Sequence, residues 1–219
     1  MILSMHDEPS RPTPGLLQIS LDAIQGAIRS DLNEFSSRFM HSPIYSDIWP
    51  GEHYKLLAGL TQTLKPNLVV EIGTATGLSA LCIKKYLPAG GKIATFDIVP
   101  WSQYPHSHLK MEDFADGTLV QHVANLSDPN ALEEHGELLS QANLIFIDAA
   151  HDGHFEKQLL EHFHKIEFKQ KVYLLFDDIR VWNMLKMWRE IRLPKIDLTS
   201  FGHWSGTGLV EFRSCQRKN

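Results

Sequence analysis

The sequence predicts a doubly wound α/β domain: a mostly parallel sheet of seven strands with an antiparallel C-terminal strand, preceded by a helical N-terminal extension. Three observations carry that prediction. Short apolar runs rich in β-branched residues, such as Leu68-Val-Val-Glu-Ile72, have the character of central strands buried on both faces. Four times such a run is followed by a turn and a helical segment, and strands alternating with helices imply right-handed βαβ units. The 219 residues, 43% hydrophobic and 21% charged, suit one globular domain with a short extension.

Taken in order, residues 1–15 hold three prolines and a glycine and read as an irregular arm. Over 16–39, the apolar residues Leu17, Ile19, Leu21, Ile24, Ile28, Leu32 and Phe35 recur mostly at three- and four-residue steps, a helical period. Residues 51–64 form a second helix stopped by Pro66. Strands then fall at 68–72, 92–97, 119–124, 143–148 and 171–177, and helices at 78–86, 129–139, 153–166 and 181–191. Residues 196–198 and 209–212, joined by a Gly/Ser-rich turn, make a closing antiparallel hairpin. The boundary is placed between 1–45, an extension serving as lid or homodimer element, and 46–219, the sheet domain.

Composition narrows the function. The formal net charge of -5 lacks the basic footprint of a nucleic-acid binder. No apolar run approaches the roughly 18–20 residues needed to span a bilayer, and the first residues lack the basic and apolar regions of a signal peptide. Cys82 and Cys215 read as free thiols in a reducing compartment, so a cytoplasmic protein with no membrane or nucleic-acid partner is expected. Twelve histidines are the one compositional oddity.

In open α/β sheets, ligands sit beyond the carboxyl ends of the strands. After the first strand comes Glu71-Ile-Gly-Thr-Ala-Thr-Gly77, in which Gly73 and Gly77 permit a tight turn and close approach of a ligand. The spacing is G-x-x-x-G, not the G-x-G-x-x-G that seats a pyrophosphate, so an NAD-linked oxidoreductase is disfavoured. After the second strand, in Thr95-Phe-Asp-Ile-Val99, Asp97 lies 20 residues beyond Gly77, where an acid can accept both hydroxyls of a ribose. The same residues also suit a plain strand-to-helix turn and a solvated strand-end acid.

Val69-Val-Glu-Ile-Gly-Thr-Ala-Thr-Gly77 followed by that acid resembles the class I S-adenosylmethionine (SAM)-dependent methyltransferases, over about residues 45–212. The resemblance implies the Rossmann-like methyltransferase fold with its antiparallel last strand. It also implies Glu71 and Gly73 near the methionine part of the cofactor and Asp97 on the ribose, with Thr74, Gly77, Ile98 and Asp148 among the cofactor-binding residues. Ala124-Asn-Leu-Ser-Asp128, with Asn125 and Leu126, would flank the adenine.

Strand four ends Ile145-Phe-Ile-Asp-Ala-Ala-His-Asp-Gly153, and strand five ends Leu174-Leu-Phe-Asp-Asp-Ile-Arg180. Asp148, Asp177 and Asp178 therefore meet at one sheet edge. Close like charges repel unless a cation neutralises them, and oxygen-only ligands suit Mg²⁺, Mn²⁺ or Ca²⁺. As helix caps the same acids need no ion. The segment resembles the bacterial D-x-x-H O-methyltransferases, which implies these three aspartates as divalent-metal ligands and His151 as general base. Two departures stand out. The catechol and caffeoyl-CoA type carries Asp-Asn where this chain has Asp177-Asp178, and macrolide and sugar relatives often carry D-G-D where Ala150 holds the third position.

The remaining histidines do not share a zinc-like spacing: His154, His162 and His164 fall on different faces of their helix and read as packing or solvated groups. His53, His106, His108 and His203 border the expected pocket only weakly. Residues 100–106 with Tyr45, Trp49, Trp182 and Trp204 are candidate acceptor-cleft residues, while Trp182, Met184, Leu185 and Trp188 at helical spacing read more simply as core. The expected function is methyl transfer from SAM to a hydroxyl of a small acceptor (a sugar, polyol or phenol). The alternatives are a non-catalytic SAM-binding protein and a metal-independent N- or C-methyltransferase.

Overall fold

The computed structural model describes residues 10–38, 52–181 and 183–212. Strands β1 (Leu68–Ile72), β2 (Lys92–Asp97), β3 (Leu119–Val123), β4 (Leu144–Ile147), β5 (Val172–Asp177), β6 (Lys195–Asp197) and β7 (Thr207–Phe212) form one sheet in the order β3-β2-β1-β4-β5-β7-β6. Strands β1 to β5 pair in parallel, and β7 runs antiparallel to both β5 and β6. The expected seven-stranded sheet with its antiparallel last strand is therefore present. The chain winds outward from β1 through β2 to β3, then returns to lay β4 on the other side of β1. That reversal opens a crevice beyond the carboxyl ends of β1 and β4. Ile72 pairs with Ile147, so Gly73 and Asp148 leave the sheet side by side.

Alternation along the strands divides the core. Leu68, Val70 and Ile72 of β1 point into one apolar cluster, with α5 (Pro129–Ser140), α6 (Phe155–Phe163) and α7 (Met184–Glu190). Val69 points into the other, with α1 (Pro14–Arg29), α2 (His53–Leu64) and α3 (Leu78–Tyr86). A near-continuous apolar strand is what burial on both faces requires. Helix starts and stops follow local chemistry. Thr13 caps α1 by accepting from the Leu16 amide, with Pro14 in the first turn. Asp128 accepts from the Asn130 amide at the start of α5. Lys65, in the left-handed region at φ 45°, ends α2 before Pro66.

The N-terminal helix departs from the expectation in two ways. It stops at Arg29 instead of continuing to 39: Ser30 is extended, Asp31 Oδ1 accepts from the Asn33 amide, and a 3-10 turn follows at Asn33–Arg38. The buried face also coincides only in part with the large residues, of which Ile19 and Ile24 pack against the core. Leu16, Ser20, Ala23, Gly26 and Ala27 are buried, whereas Leu17, Leu21 and Ile28 stay exposed. The reason lies at the crossing with α2. A Cβ on Gly59 would come within 2.0 Å of the Ala23 carbonyl oxygen, so backbones rather than side chains set the spacing there. Helix α7 departs similarly: Met184 and Trp188 are core, but Leu185 is exposed, and Trp182 lies outside the described residues. Arg38 anchors the 3-10 turn to the sheet domain through paired hydrogen bonds (2.7 and 3.0 Å) to Asp113 of the short α4 (Met111–Phe114) and one to the His108 carbonyl. No helix among the described residues is long and apolar enough to cross a membrane.

The crossing yields a stability prediction. Gly59→Leu should lower unfolding free energy by about 2–3 kcal/mol in urea titrations, since the neighbouring backbone has nowhere to move. Gly136→Ala, on α5 with open space around it, should instead raise it by about 0.5–1 kcal/mol.

Candidate active site

A cleft of about 460 Å³ opens at the carboxyl ends of β1, β2 and β4. Gly73, Asp97, Ile98, Asn125, Leu126 and Asp148 line it, together with Ala75, Tyr104, Ala149, Ala150 and Phe155. Gly73 holds φ 102°, and a Cβ there would sit 1.8 Å from the Asp148 carbonyl oxygen, so only glycine lets the two strand ends pass. Its amide donates to the Phe96 carbonyl (2.8 Å), tying the turn to β2 as well. Asp97 accepts from the Ala75 amide through one oxygen and the Val99 amide through the other, both at 3.0 Å. These bonds fix the carboxylate at the cleft wall and leave lone pairs on both oxygens for hydroxyl groups. Ile98 is 71% exposed, an apolar surface turned into the cleft beside that acid. Asn125 Oδ1 accepts from the amide and hydroxyl of Ser127, holding the turn after β3.

Glu71, Thr74 and Gly77 lie beneath this cleft rather than along it. Glu71 is fully buried and accepts hydrogen bonds from the Ser79 and Thr95 hydroxyls; the Thr95 hydroxyl is in turn 2.7 Å from that of Thr74. Burial pushes the Glu71 carboxyl up to about 7, against the pull of its two hydroxyl partners. Gly77, at φ 80°, precedes α3, and a Cβ there would strike Leu109. These three residues support the turn that carries Gly73.

At the other end of the cleft, Asp148 joins an acid and histidine cluster. The structure brings Asp148, Asp177, Asp178 and His151 together, as the sequence predicted, and adds His53 and His203. His151 bridges two strands' ends, with Nε2 2.8 Å from Asp148 Oδ1 and Nδ1 3.1 Å from Asp178 Oδ2. Its loop is held by Glu156, a fully buried residue of α6 that accepts from the His151 and Gly153 amides (2.9 Å each). Sequence reasoning missed Glu156; an acid three residues beyond Gly153 at a helix start was the available signal. His151 and Asp178 both hold left-handed backbone (φ 54° and 57°), a strained conformation for non-glycine residues. Burial alone would lower the His151 and His203 imidazoles, but the hydrogen bonds and charges of the aspartates outweigh it and push each up to about 9. Burial would raise Asp178, yet His203, Ser205 and the His151 charge hold it below the usual carboxylate range.

His53 and His203 were weak pocket candidates in the sequence, and the structure moves both into this cluster. His53 begins α2, is buried, and places Nδ1 3.8 Å from Asp177 Oδ1. His203, in the β6–β7 connection, places Nδ1 3.6 Å from Asp177 Oδ2 and 3.4 Å from Asp178 Oδ1. Nitrogen atoms thus stand beside the carboxylate oxygens in this cluster. Nδ1 of His53 and Oδ1 of Asp177 have no hydrogen-bond partner among the described residues. Buried polar atoms left so are uncommon and fit a site built for a cation. His108 instead faces the Arg38 carbonyl, and His106 is exposed. Of the zinc-like spacings, His154 is exposed, His162 lies against the Leu126 carbonyl and His164 against the Phe212 ring. Among the aromatic candidates, Tyr104 lines the cleft, Trp101 stacks on Phe114 and Trp204 is exposed beside His203, while Tyr45 and Trp49 lie outside the described residues. Cys82 is a buried free thiol, and Cys215 lies outside the described residues.

The buried Glu71 carries a pH signature. The folded protein holds its proton more tightly than the unfolded chain, whose glutamates titrate near ~4.3, so this group lowers stability as pH rises from there to about 7. Glu71→Gln should remove that share of the slope, on the order of 3 kcal/mol, in denaturation measured between pH 4.5 and 7. An unchanged slope would show the carboxyl to be ordinary.

Comparison with known proteins follows the same lines. No curated protein matches the chain. An O-methyltransferase from Bacillus cereus, in complex with SAH, superposes with a TM-score of 0.55 at 18% identity, covering 88% of this chain and 95% of that one. TomG, an O-methyltransferase from Streptomyces achromogenes involved in tomaymycin synthesis and in complex with SAM, gives 0.54 at 15%, covering 89% and 96%. A methyltransferase from Geobacter sulfurreducens gives 0.57 at 14%, covering 84% and 92%. At these identities the likeness is one of fold. A family model described as a methyltransferase domain matches residues 70–179, half of the chain, running from within β1 to just past the acidic pair at the end of β5. The chain belongs to this methyltransferase-domain family and has the class I, Rossmann-like fold.

Proposed function

We propose that the protein transfers a methyl group from SAM to a hydroxyl of a small acceptor, with divalent-metal assistance and His151 as general base. The observation that carries this reading is the position of Asp148. It lines the cleft through one side of its loop and belongs to the acid and histidine cluster through its carboxylate. A cofactor in the cleft and an acceptor at the cluster would therefore meet at one residue, as an in-line displacement requires.

In this reading Asp97 takes the ribose hydroxyls, Ile98 and Leu126 flank the adenine with Asn125, and the Gly73 turn passes close to the methionine part. Asp148, Asp177 and Asp178 would hold the cation, and the Asp177 oxygen without a partner among the described residues supports that assignment. A divalent cation bound there would acidify a coordinated hydroxyl and stand in for the imidazolium charge among the carboxylates. His151, oriented by Glu156 through the loop backbone, would take the hydroxyl proton at its Nε2 or Nδ1. The bound acceptor and Tyr104 would keep water from the reacting oxygen. A small sugar, polyol or phenol with vicinal oxygens fits this chemistry.

Calorimetry with S-adenosylhomocysteine tests the cofactor. Binding should be measurable, and Asp97→Ala should weaken it by about tenfold or more, equivalent to ~1.4 kcal/mol for one lost charged hydrogen-bond partner. Absence of heat with the wild-type protein would overturn the assignment. Activity on a panel of catechols, sugars and polyols should fall on EDTA treatment and return with added cation. His151→Ala should lower kcat by roughly 10²-fold or more, the usual worth of a positioned base. A variant with near-wild-type kcat removes His151 from that role.

A further inference from the structure

The cluster beyond β4 and β5 contains more than the carboxylates. Two sets of donor atoms, His53–Asp148–Asp177 and Asp177–Asp178–His203, each lie within 4.8 Å of one another and share Asp177. The two histidines approach opposite oxygens of that shared carboxylate. We propose that His53 and His203 are themselves metal ligands, so that the site takes a borderline transition-metal ion such as Mn²⁺, Co²⁺ or Zn²⁺ in preference to Mg²⁺. The inference deepens the metal part of the function proposed above and rests on it.

The spacing argues for ligation over simple pairing. His53 Nδ1 and Asp177 Oδ1 stand 3.8 Å apart, beyond hydrogen-bond reach, and each lacks any other hydrogen-bond partner among the described residues. Two ligands that each sit about 2.1 Å from one ion lie roughly 3–3.5 Å from each other, which these side chains reach with small shifts. His53 has no room to turn elsewhere: it is 3% exposed and packs against the Tyr54 and Phe146 rings. A buried imidazole aimed at a buried carboxylate without a hydrogen bond is a costly arrangement unless a third group joins them. His151 differs, because both of its nitrogens already face aspartates at 2.8 and 3.1 Å, so neither is left without a partner. His203 would exchange its contact with the Ser205 hydroxyl for the ion.

Ligand chemistry then selects the ion. Imidazole nitrogen suits the later first-row metals, whereas Mg²⁺ binds oxygen in near-ideal octahedral geometry and dehydrates reluctantly. Two histidines beside three carboxylates therefore favour a transition metal over Mg²⁺.

The test uses the full-length protein after chelation and dialysis, with Co²⁺ followed by its visible absorption and Mg²⁺ by calorimetry. Co²⁺ should bind at least about 100-fold tighter than Mg²⁺, following the affinity order of nitrogen-containing sites. His53→Gln and His203→Gln should each weaken Co²⁺ by about tenfold or more and shift its absorption bands, with folding verified by circular dichroism. The half-buried His203 keeps the test intact if the buried His53 variant fails to fold. Equal affinities for the two ions, with both variants unchanged, would overturn the nitrogen ligands and leave a carboxylate-only metal reading standing. Failure of the wild-type protein to bind any divalent ion would overturn both, while S-adenosylhomocysteine binding would judge methyl transfer separately.

Discussion

The carboxyl edge of this sheet depends on how closely the chain leaving β1 passes the chain leaving β4. Gly73 and Asp148 emerge side by side from paired strands, and the space between them excludes even a methyl group. From that contact much of the site geometry follows. Gly73 bonds to β2 through the Phe96 carbonyl, which brings Ala75 within reach of Asp97 and orients the acid at the cleft wall. On the other side it fixes where the Asp148 loop begins, and so where His151 can reach. A larger residue at 73 would part the two strand ends and misplace both halves of the site at once.

Buried acids do the supporting work. Glu71 organises the hydroxyls of Ser79 and Thr95 below the glycine turn, while Glu156 gathers the amides of His151 and Gly153 below the histidine loop. Each carboxylate satisfies buried donors that would otherwise be costly, and each holds a loop with no regular structure of its own. Against this base the aspartate and histidine cluster keeps unfavourable features: left-handed backbone at His151 and Asp178, and polar atoms without partners among the described residues. Strain and unmet polarity that meet in one cluster are features expected of a working site.

Much of this was legible in the chain. The strand runs 68–72 and 92–97 and the helix 78–86 fall where the residue pattern puts them, because a strand buried on both faces must be apolar throughout and a helix must repeat near 3.6. The acids that follow the strands were also visible, since parallel topology sends every such residue to the same edge. Local pattern misled in part at α1, where Leu17, Leu21 and Ile28 mark an exposed face. The close crossing with Gly59 demands small residues on the buried face, and no local count of hydrophobics contains that demand. It likewise could not separate Glu71, which supports the turn, from Gly73, which lines the cleft two residues later.

By itself, then, the sequence determined the parallel α/β order, the glycine turn, Asp97 and the three converging aspartates, because each is written in residues adjacent to a strand end. The tertiary structure decided which histidines matter. His53 starts a helix before the first strand and His203 lies in the last connection, so no spacing rule joins them to Asp177. Only the folding of α2 against one face, and the insertion of β7 beside β5, bring both imidazoles to that carboxylate. Proximity between residues far apart in the chain is a property of packing, and it turned an oxygen-only cluster into a mixed one.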